Sequence, residues 1–360
     1  MQTKLIIAAY GLHAANCTAV PFGTGLINRT WKVSCKRSGT DFILQRLNTA
    51  VFKDPYAIGR NISDIAGYLD LHSPGYRFIA PLKTIEGDEL YRGTGQDEVY
   101  RMFPFLADSL SFDVVHNPQQ AYEAARQFAL FTKLLAGFSA RSLRITLPDF
   151  HNLSLRFAQF QQALTNGDPA RGEKAADLIE FLQQQEAIVA TYEAIKGNPE
   201  FKIRVTHHDT KISNVLFDSE DKGLCVIDLD TVMPGYFISD VGDMLRTYLS
   251  AANEEEWDVE KITVRDEFFE AIVKGYLSEL NEELSETEKK HFVYAGKFMI
   301  YMQALRFLTD YLNNDVYYGA KYEGHNLIRA QNQAILLERL LEKEEWLNRI
   351  VASCQTTVSQ

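Results

Sequence analysis

The sequence predicts an α+β chain in two parts, a small β-rich N-terminal lobe and a larger helical lobe, and three observations lead there. The first hundred residues alternate β-forming runs with glycine turns around a single helix. After Asn117-Pro118 the apolar residues take helical spacing. Short strands around a polar loop at 201–233 interrupt those helices. Strands gathered first and helices afterwards are the pattern of an α+β chain rather than of alternating βα units. The expected parts are residues 1–103, a linker at 104–117, and 118–360.

The elements follow in order. Residues 4–16 (KLIIAAYGLHAAN) read as an amphipathic first helix: the apolar run is short, broken by Gly11 and His13, and lacks the cleavage pattern of a signal peptide. Val20 and Phe22 lead into Gly23-Thr24-Gly25, and Ile27–Cys35 is rich in β-formers. Ser38-Gly39-Thr40 is a turn, and Phe42-Ile43-Leu44 resumes a strand. Ile58, Ile62, Ile65, Ala66 and Leu69 define a helix over 55–71. Short strands are expected near 76–85, 89–92 and 98–103. The helices expected in the second part cover 119–137, 174–196, 241–252, 263–280, 287–312 and 324–347.

Composition narrows the function. The chain has 360 residues and a net charge of −11, with no Lys/Arg cluster, which argues against a nucleic-acid partner. No stretch approaches the length of a membrane span. Cys17, Cys35, Cys225 and Cys354 form no CxxC pair and are expected to be free, buried thiols of a cytoplasmic protein. The oligomeric state is not written in the sequence.

The chemistry concentrates in Val205–Phe217, which contains His-x-Asp-x-x-x-x-Asn as His207, Asp209 and Asn214. Ten residues on, the apolar strand Leu224–Ile227 ends in Asp228-Leu229-Asp230. Phosphoryl transfer needs a carboxylate at the attacking hydroxyl and oxygen ligands for a magnesium ion on the nucleotide phosphates. Magnesium takes a few carboxylate or amide oxygens and completes its shell with phosphate and water. A loop bearing Asp209 and Asn214 beside a strand ending in Asp228 meets both needs.

These segments resemble the aminoglycoside phosphotransferase and choline kinase family, which has a protein-kinase-like fold. Within it the sequence is most similar to bacterial N-acetylhexosamine 1-kinases. The likeness is carried by His208-Asp209-Thr210-Lys211, Asn214-Val215-Leu216, Ile227–Gly235, Asp240–Thr247 and Ala304–Leu312, and it runs from Gly23 to about Asn326. The resemblance implies Asp209 as catalytic base, Asn214 and Asp228 as Mg²⁺ ligands, Asp230 as a further ligand or supporting group, and ATP as co-substrate. It also implies that Asp240 braces the catalytic loop and that His207 holds its shape. Gly23-Thr24-Gly25-Leu26-Ile27-Asn28 stands where the phosphate-covering loop belongs, and Val99–Phe105, with Arg101 and Phe103, where the chain enters the adenine hinge.

One departure stands out. Kinases pair a lysine on the third strand with a glutamate on the following helix. Here the strand reads Asp41-Phe42-Ile43-Leu44-Gln45-Arg46, and 55–71 contains no glutamate. Either Arg46 and Asp64 replace the pair, or Gln45 bonds the phosphates and the metal takes the charge.

For the acceptor, Arg306 lies beside the stripe Phe298, Met302, Leu305 and Leu312, where a charge needs a partner. Asp243, Arg246 and Asp310 are its candidate partners, and together with Asp209 they form the expected acceptor site. Tyr311, Tyr317, Tyr318 and Tyr322 are candidate walls. The expected acceptor is an N-acetylhexosamine at its anomeric hydroxyl. The rival readings are a kinase of choline, an amino alcohol or an aminoglycoside, and a non-catalytic nucleotide-binding module. Cationic acceptors would want an acidic, aromatic pocket; Arg246 and Arg306 argue against one.

Overall fold

The computed structural model describes residues 2–23, 25, 27–36, 39–95 and 98–358. Helix α1 (Gln2–Ala9) places Ile6 and Ile7 against one face of an antiparallel sheet. Its strands are β1 (Cys17–Pro21), β2 (Arg29–Cys35) and β3 (Thr40–Arg46); after helix α2 (Pro55–His72) come β4 (Tyr91–Arg92) and β5 (Val99–Pro104). The order across the sheet is β1-β2-β3-β5-β4. Alternation along the strands sends Val33, Phe42, Leu44, Tyr100 and Met102 into one small core with Ile6, Ile7 and Tyr10. Residues 76–85, expected to hold a strand, form no paired strand, although the Leu82 N–H reaches the Met102 carbonyl at 2.6 Å.

Helix α2 starts where the sequence marks it. Asp54 accepts the Ala57 N–H at 3.1 Å and Pro55 occupies the first turn, a combination worth about 1 kcal/mol for the cap. Its Ile58, Ile62, Ile65 and Leu69 pack into the large core of the helical part, not into the small core of the sheet.

Next come α3 (Pro118–Leu134), capped by Asn117, and α4 (Leu153–Asn166). After α5 (Pro169–Lys174), the single helix expected at 174–196 is two: α6 (Ala176–Gln184) and α7 (Ala187–Gly197). The chain tightens at 185–186, where the Gln185 and Glu186 N–H groups bond the carbonyls three residues back. That bend lets α6 and α7 bury separate apolar groups, Leu178 and Leu182 on one and Ile188, Tyr192 and Ile195 on the other.

Four short strands follow: β6 (Arg204–Thr206), β7 (Val215–Phe217), β8 (Gly223–Val226) and β9 (Met233–Gly235). β6 pairs with β9 and β7 with β8. The linker is tied to this unit, because Leu110 and Phe217 exchange backbone hydrogen bonds of 2.8 and 2.9 Å. Then come α8 (Phe237–Tyr248), α9 (Asp266–Leu280), α10 (Glu286–Lys289), α11 (Phe292–Leu312), α12 (His325–Glu342) and α13 (Glu344–Val358). Helix α11 is not the one-sided helix its stripe suggested. It is buried almost all round and runs through the core against α4, α8 and α12. At Gly242 of α8 a Cβ would run into the Ala295 carbonyl of α11, so the two helices meet through a missing side chain.

The cysteine expectation is corrected at one pair. Cys17 and Cys35 face each other across β1 and β2 and are joined as a disulfide. The strand register, absent from any CxxC spacing, brings them together, and the compartment reading built on four free thiols loses that support. Cys225 and Cys354 are free and buried, as expected. Among the described residues no helix is long and apolar enough to cross a membrane.

Candidate active site

The catalytic loop leaves β6 and is fixed from behind by the first turns of α8. That helix begins at Phe237, earlier than its expected start at 241, and so takes in Asp240. The buried Asp240 carboxylate accepts the N–H groups of His207 at 3.1 Å and His208 at 2.8 Å. Its backbone carbonyl accepts the Thr210 hydroxyl at 2.8 Å. One turn on, Asp243 accepts the Thr210 N–H at 2.8 Å. Burial pushes the Asp240 carboxyl up to about 7, while the two N–H groups work the other way.

Held like this, His208 adopts a left-handed backbone with φ of 66°. There is no room at its side for more than Gly235, whose Cβ would lie 2.5 Å from the His208 Nε2. His207 is fully buried and its Nε2 is 2.9 Å from the Ile227 carbonyl, tying the loop to the end of β8. Burial lowers both imidazoles, His208 to about 4, so both are neutral near pH 7.

Asp209 stands half-buried at the head of the loop. Asn214 is turned back by the 3₁₀ turn 212–214, and its Nδ2 donates to the Asp209 carbonyl at 2.8 Å. The Asn214 carbonyl accepts the Ile227 N–H at 2.9 Å, which sets the loop beside Asp228. Asp228 has φ 60° and ψ 60°, a costly conformation for a residue with a Cβ. Asp228 keeps an exposed face although protein packs closely around it. That desolvation, then Asp230 and Asp209, raises its pKa above the ordinary carboxylate range.

Crowded carboxylates with an amide oxygen alongside suit a divalent cation. Among the described residues no three His, Cys, Asp or Glu side chains are grouped to hold a metal by themselves. Asn214 and Asp228 would offer magnesium a partial set of oxygen donors, of the kind it completes with phosphate oxygens and water. Asp230 is otherwise engaged: one oxygen pairs with Arg101 and the other accepts the Asn28 Nδ2 at 2.7 Å.

The sheet side corrects two expectations. Arg46 does not meet Asp64; it lies 3.8 Å from Glu98, and Asp64 lies 3.9 Å from Arg144. Gln45 is bonded within the sheet, accepting from the Arg101 Nε at 3.0 Å and donating to the Thr30 hydroxyl at 3.3 Å. Asn28 also accepts the Asn48 N–H at 3.0 Å, so its side chain braces the strand entrance. Phe103 lies under Arg101, 5.0 Å from ring centre to guanidinium. Gly23 and Gly25 are exposed, Gly23 with φ of 80°, while Thr24 and Leu26 lie outside the described residues.

On the helical side a cavity of about 380 Å³ is lined by Arg156, Arg306, Asp310, Tyr317 and Tyr318 among others. Arg306 is not held by Asp243 or Asp310. Its Nη1 donates to Gln303 at 3.2 Å, and it lies over the Tyr318 ring at 5.4 Å. Asp243 pairs with Arg246 at 3.0 Å instead. Asp310 accepts the Tyr317 and Tyr318 N–H groups at 2.7 and 2.9 Å and so orders the segment that walls the cavity. Tyr311 is core, packed under Arg171, and Tyr322 lies tilted against His325.

Three residues were not foreseen. Lys211 sets its ammonium 3.0 Å from the Asp209 carboxylate. Burial opposes the Lys211 charge, but Asp209 and Asp228 outweigh it and raise the pKa. A lysine two places after Asp209 was the available signal. His151 lies 5.3 Å from His208, ring to ring. It is kept neutral by burial and by the charges of Arg306, Arg246 and Arg156. Arg156 and His151 come from a stretch with no motif.

Residues 18–280 match the phosphotransferase enzyme family, APH, and the chain belongs to that family. Its fold is similar to that of a microcompartment-associated aminopropanol kinase, at 17% identity and a TM-score of 0.63 over 95% of this chain and 97% of that one. It is likewise similar to an aminoglycoside phosphotransferase from Alicyclobacillus acidocaldarius, at 14% identity and 0.62 over 94% and 92%. A choline kinase from Cryptosporidium parvum aligns at 14% identity and 0.57 over 98% and 99%. The chain is thus a small-molecule phosphotransferase with a protein-kinase-like fold.

The site makes one prediction about metal. Asp228→Ala is expected to abolish the gain in nucleotide affinity that Mg²⁺ provides, with acceptor binding unchanged. Calorimetry showing an unaltered affinity for magnesium-bound nucleotide would remove Asp228 as a ligand.

Proposed function

We propose that this chain transfers the γ-phosphoryl group of ATP to the anomeric hydroxyl of an N-acetylhexosamine. The observation that carries the acceptor reading is the cavity beside α11. Its charged wall is Arg156 and Arg306, and the one carboxylate among its described lining residues, Asp310, is already bonded to two backbone N–H groups and to the Asn326 amide. Such a wall repels an ammonium and offers donors to hydroxyl and acyl oxygens. Tyr317 and Tyr318 add flat surfaces for a sugar ring. Choline and amino alcohols present the opposite chemistry.

In this reading Asp209 accepts the proton of the attacking hydroxyl, or aligns it. Lys211, beside Asp209, places positive charge where the phosphoryl group arrives. Asn214 and Asp228 would hold Mg²⁺, which supplies neutralisation of the phosphate charge when bound. Gly23 and Gly25 leave room for backbone to approach the phosphates.

Incubation with Mg²⁺, ATP and a panel of N-acetylhexosamines, plain hexoses, choline and ethanolamine tests the reading, with phosphorus NMR locating the new phosphate. An anomeric phosphate on an N-acetylhexosamine is expected; phosphorylation of choline alone would contradict it. Asp209→Asn is expected to lower kcat by at least ~100-fold with nucleotide binding intact. Arg306→Lys keeps the charge and loses the planar fork. The acceptor KM is then expected to rise roughly tenfold or more, as for a charged hydrogen bond worth about 1.5–3 kcal/mol, with the KM for ATP unmoved. A loss of thermal stability with an unchanged acceptor KM would make Arg306 purely structural.

A further inference from the structure

The third strand carries no lysine, yet a buried cation does reach the metal turn, from the neighbouring strand. In the β3–β5 pairing Gln45 lies opposite Arg101. Arg101 is 1% exposed. Its Nε is taken by Gln45 at 3.0 Å, and its Nη1 forms a close ion pair with Asp230, itself 2% exposed. The other Asp230 oxygen accepts from Asn28 at 2.7 Å, and Asn28 is held in turn by the Asn48 N–H. One carboxylate of the metal turn is thus gripped by β5 of the N-terminal sheet and by the residue just before β2.

The turn 229–231 is fastened from its other side by backbone contacts. The Thr146 hydroxyl donates to the Asp230 carbonyl at 2.7 Å, and the Thr231 hydroxyl to the His207 carbonyl at 2.7 Å. Asn61 of α2 donates to the Val232 carbonyl at 3.3 Å. All of these hold the turn to the helical part or to α2. The side chain of Asp230 is what ties it to the sheet. Asp228 opens the same turn in a left-handed conformation that persists only where its surroundings fix it.

We propose that Arg101 and Asp230 are positioning residues for metal-bound nucleotide. Their buried ion pair, set by Gln45 and Asn28, fixes the angle at which Asp228 presents its carboxylate. It also couples that angle to the sheet that carries the glycine loop. The pair takes over across the two parts what a third-strand lysine and a helix glutamate do within one lobe, while α2 contributes Asn61 in place of a glutamate. Arg101 acts through Asp228 and not on the phosphates, since it is buried and committed to Gln45 and Asp230. The inference rests on the kinase reading.

The test is calorimetry of ADP, with and without Mg²⁺, on the wild type, Arg101→Met and the double variant Arg101→Met/Asp230→Asn. The double variant leaves no orphaned buried charge, so it serves where the single variant does not fold. The factor by which Mg²⁺ tightens ADP binding is expected to fall at least tenfold in both. Metal-free ADP affinity should stay within twofold of wild type, and the loss in the double variant should be no larger than in the single one. An equal loss with and without Mg²⁺ would place Arg101 on the phosphates and overturn the proposal. So would a magnesium factor within twofold of wild type in the folded double variant. A wild type whose ADP binding does not respond to Mg²⁺ would instead remove the kinase reading on which the proposal stands.

Discussion

The site depends first on one buried carboxylate. Asp240 is 1% exposed, and burying its charge costs several kcal/mol unless donors replace the lost water. It finds them in the consecutive N–H groups of His207 and His208. Because those amides belong to the catalytic loop, satisfying the carboxylate and shaping the loop are the same act. His208 is held left-handed, His207 is turned toward the Ile227 carbonyl, and Asp209 is left at the head of the loop. Asp243 and the Tyr248 hydroxyl complete the hold on the two backbone groups of Thr210. Helix α8, wedged against α11 at Gly242, is the rigid element from which all this is suspended.

The second constraint joins the two parts. A phosphotransferase must align a nucleotide gripped by one part with a hydroxyl held by the other, and small misplacements cost rate steeply. In the turn 229–231, Asp228 at its start is exposed, and Asp230, two residues later, is buried and meets Arg101 and Asn28. The cavity beside α11 is set apart by its charge. Arg156 and Arg306 share a cavity wall, and burial together with the Arg306 charge lowers the Arg156 pKa.

Much of this was legible in the sequence because it is local. The caps Asp54 and Asn117 with their prolines announce α2 and α3, and the His207–Asp209–Asn214 spacing with Asp228 ten residues after the loop marks the site. What escaped is what depends on register and distant contact. The Cys17–Cys35 bond needs the β1–β2 pairing, and the Arg101–Asp230 pair needs β3 beside β5 and a turn far along the chain. Arg46 and Asp64 looked like a substitute pair by position, but the sheet turns Arg46 toward Glu98. The bend at 185–186 escaped because helical spacing continues through it, and only the separate partners of α6 and α7 require the break. The partners of Arg306 were misassigned for a similar reason. Asp310 lies one turn away on α11, but its oxygens face the 317–318 backbone.

Hydrogen exchange at the catalytic loop in Asp240→Asn tests the central claim most directly. The substitution keeps the size of the side chain and turns one of its two acceptors into a donor facing a backbone N–H. The account predicts that the amides of residues 206–210 exchange about tenfold to 100-fold faster, as expected from losing a charged hydrogen bond worth about 1.5–3 kcal/mol. Amides of the N-terminal sheet should keep their protection, and turnover should fall. A loop as protected as in the wild type would show that its shape does not depend on Asp240.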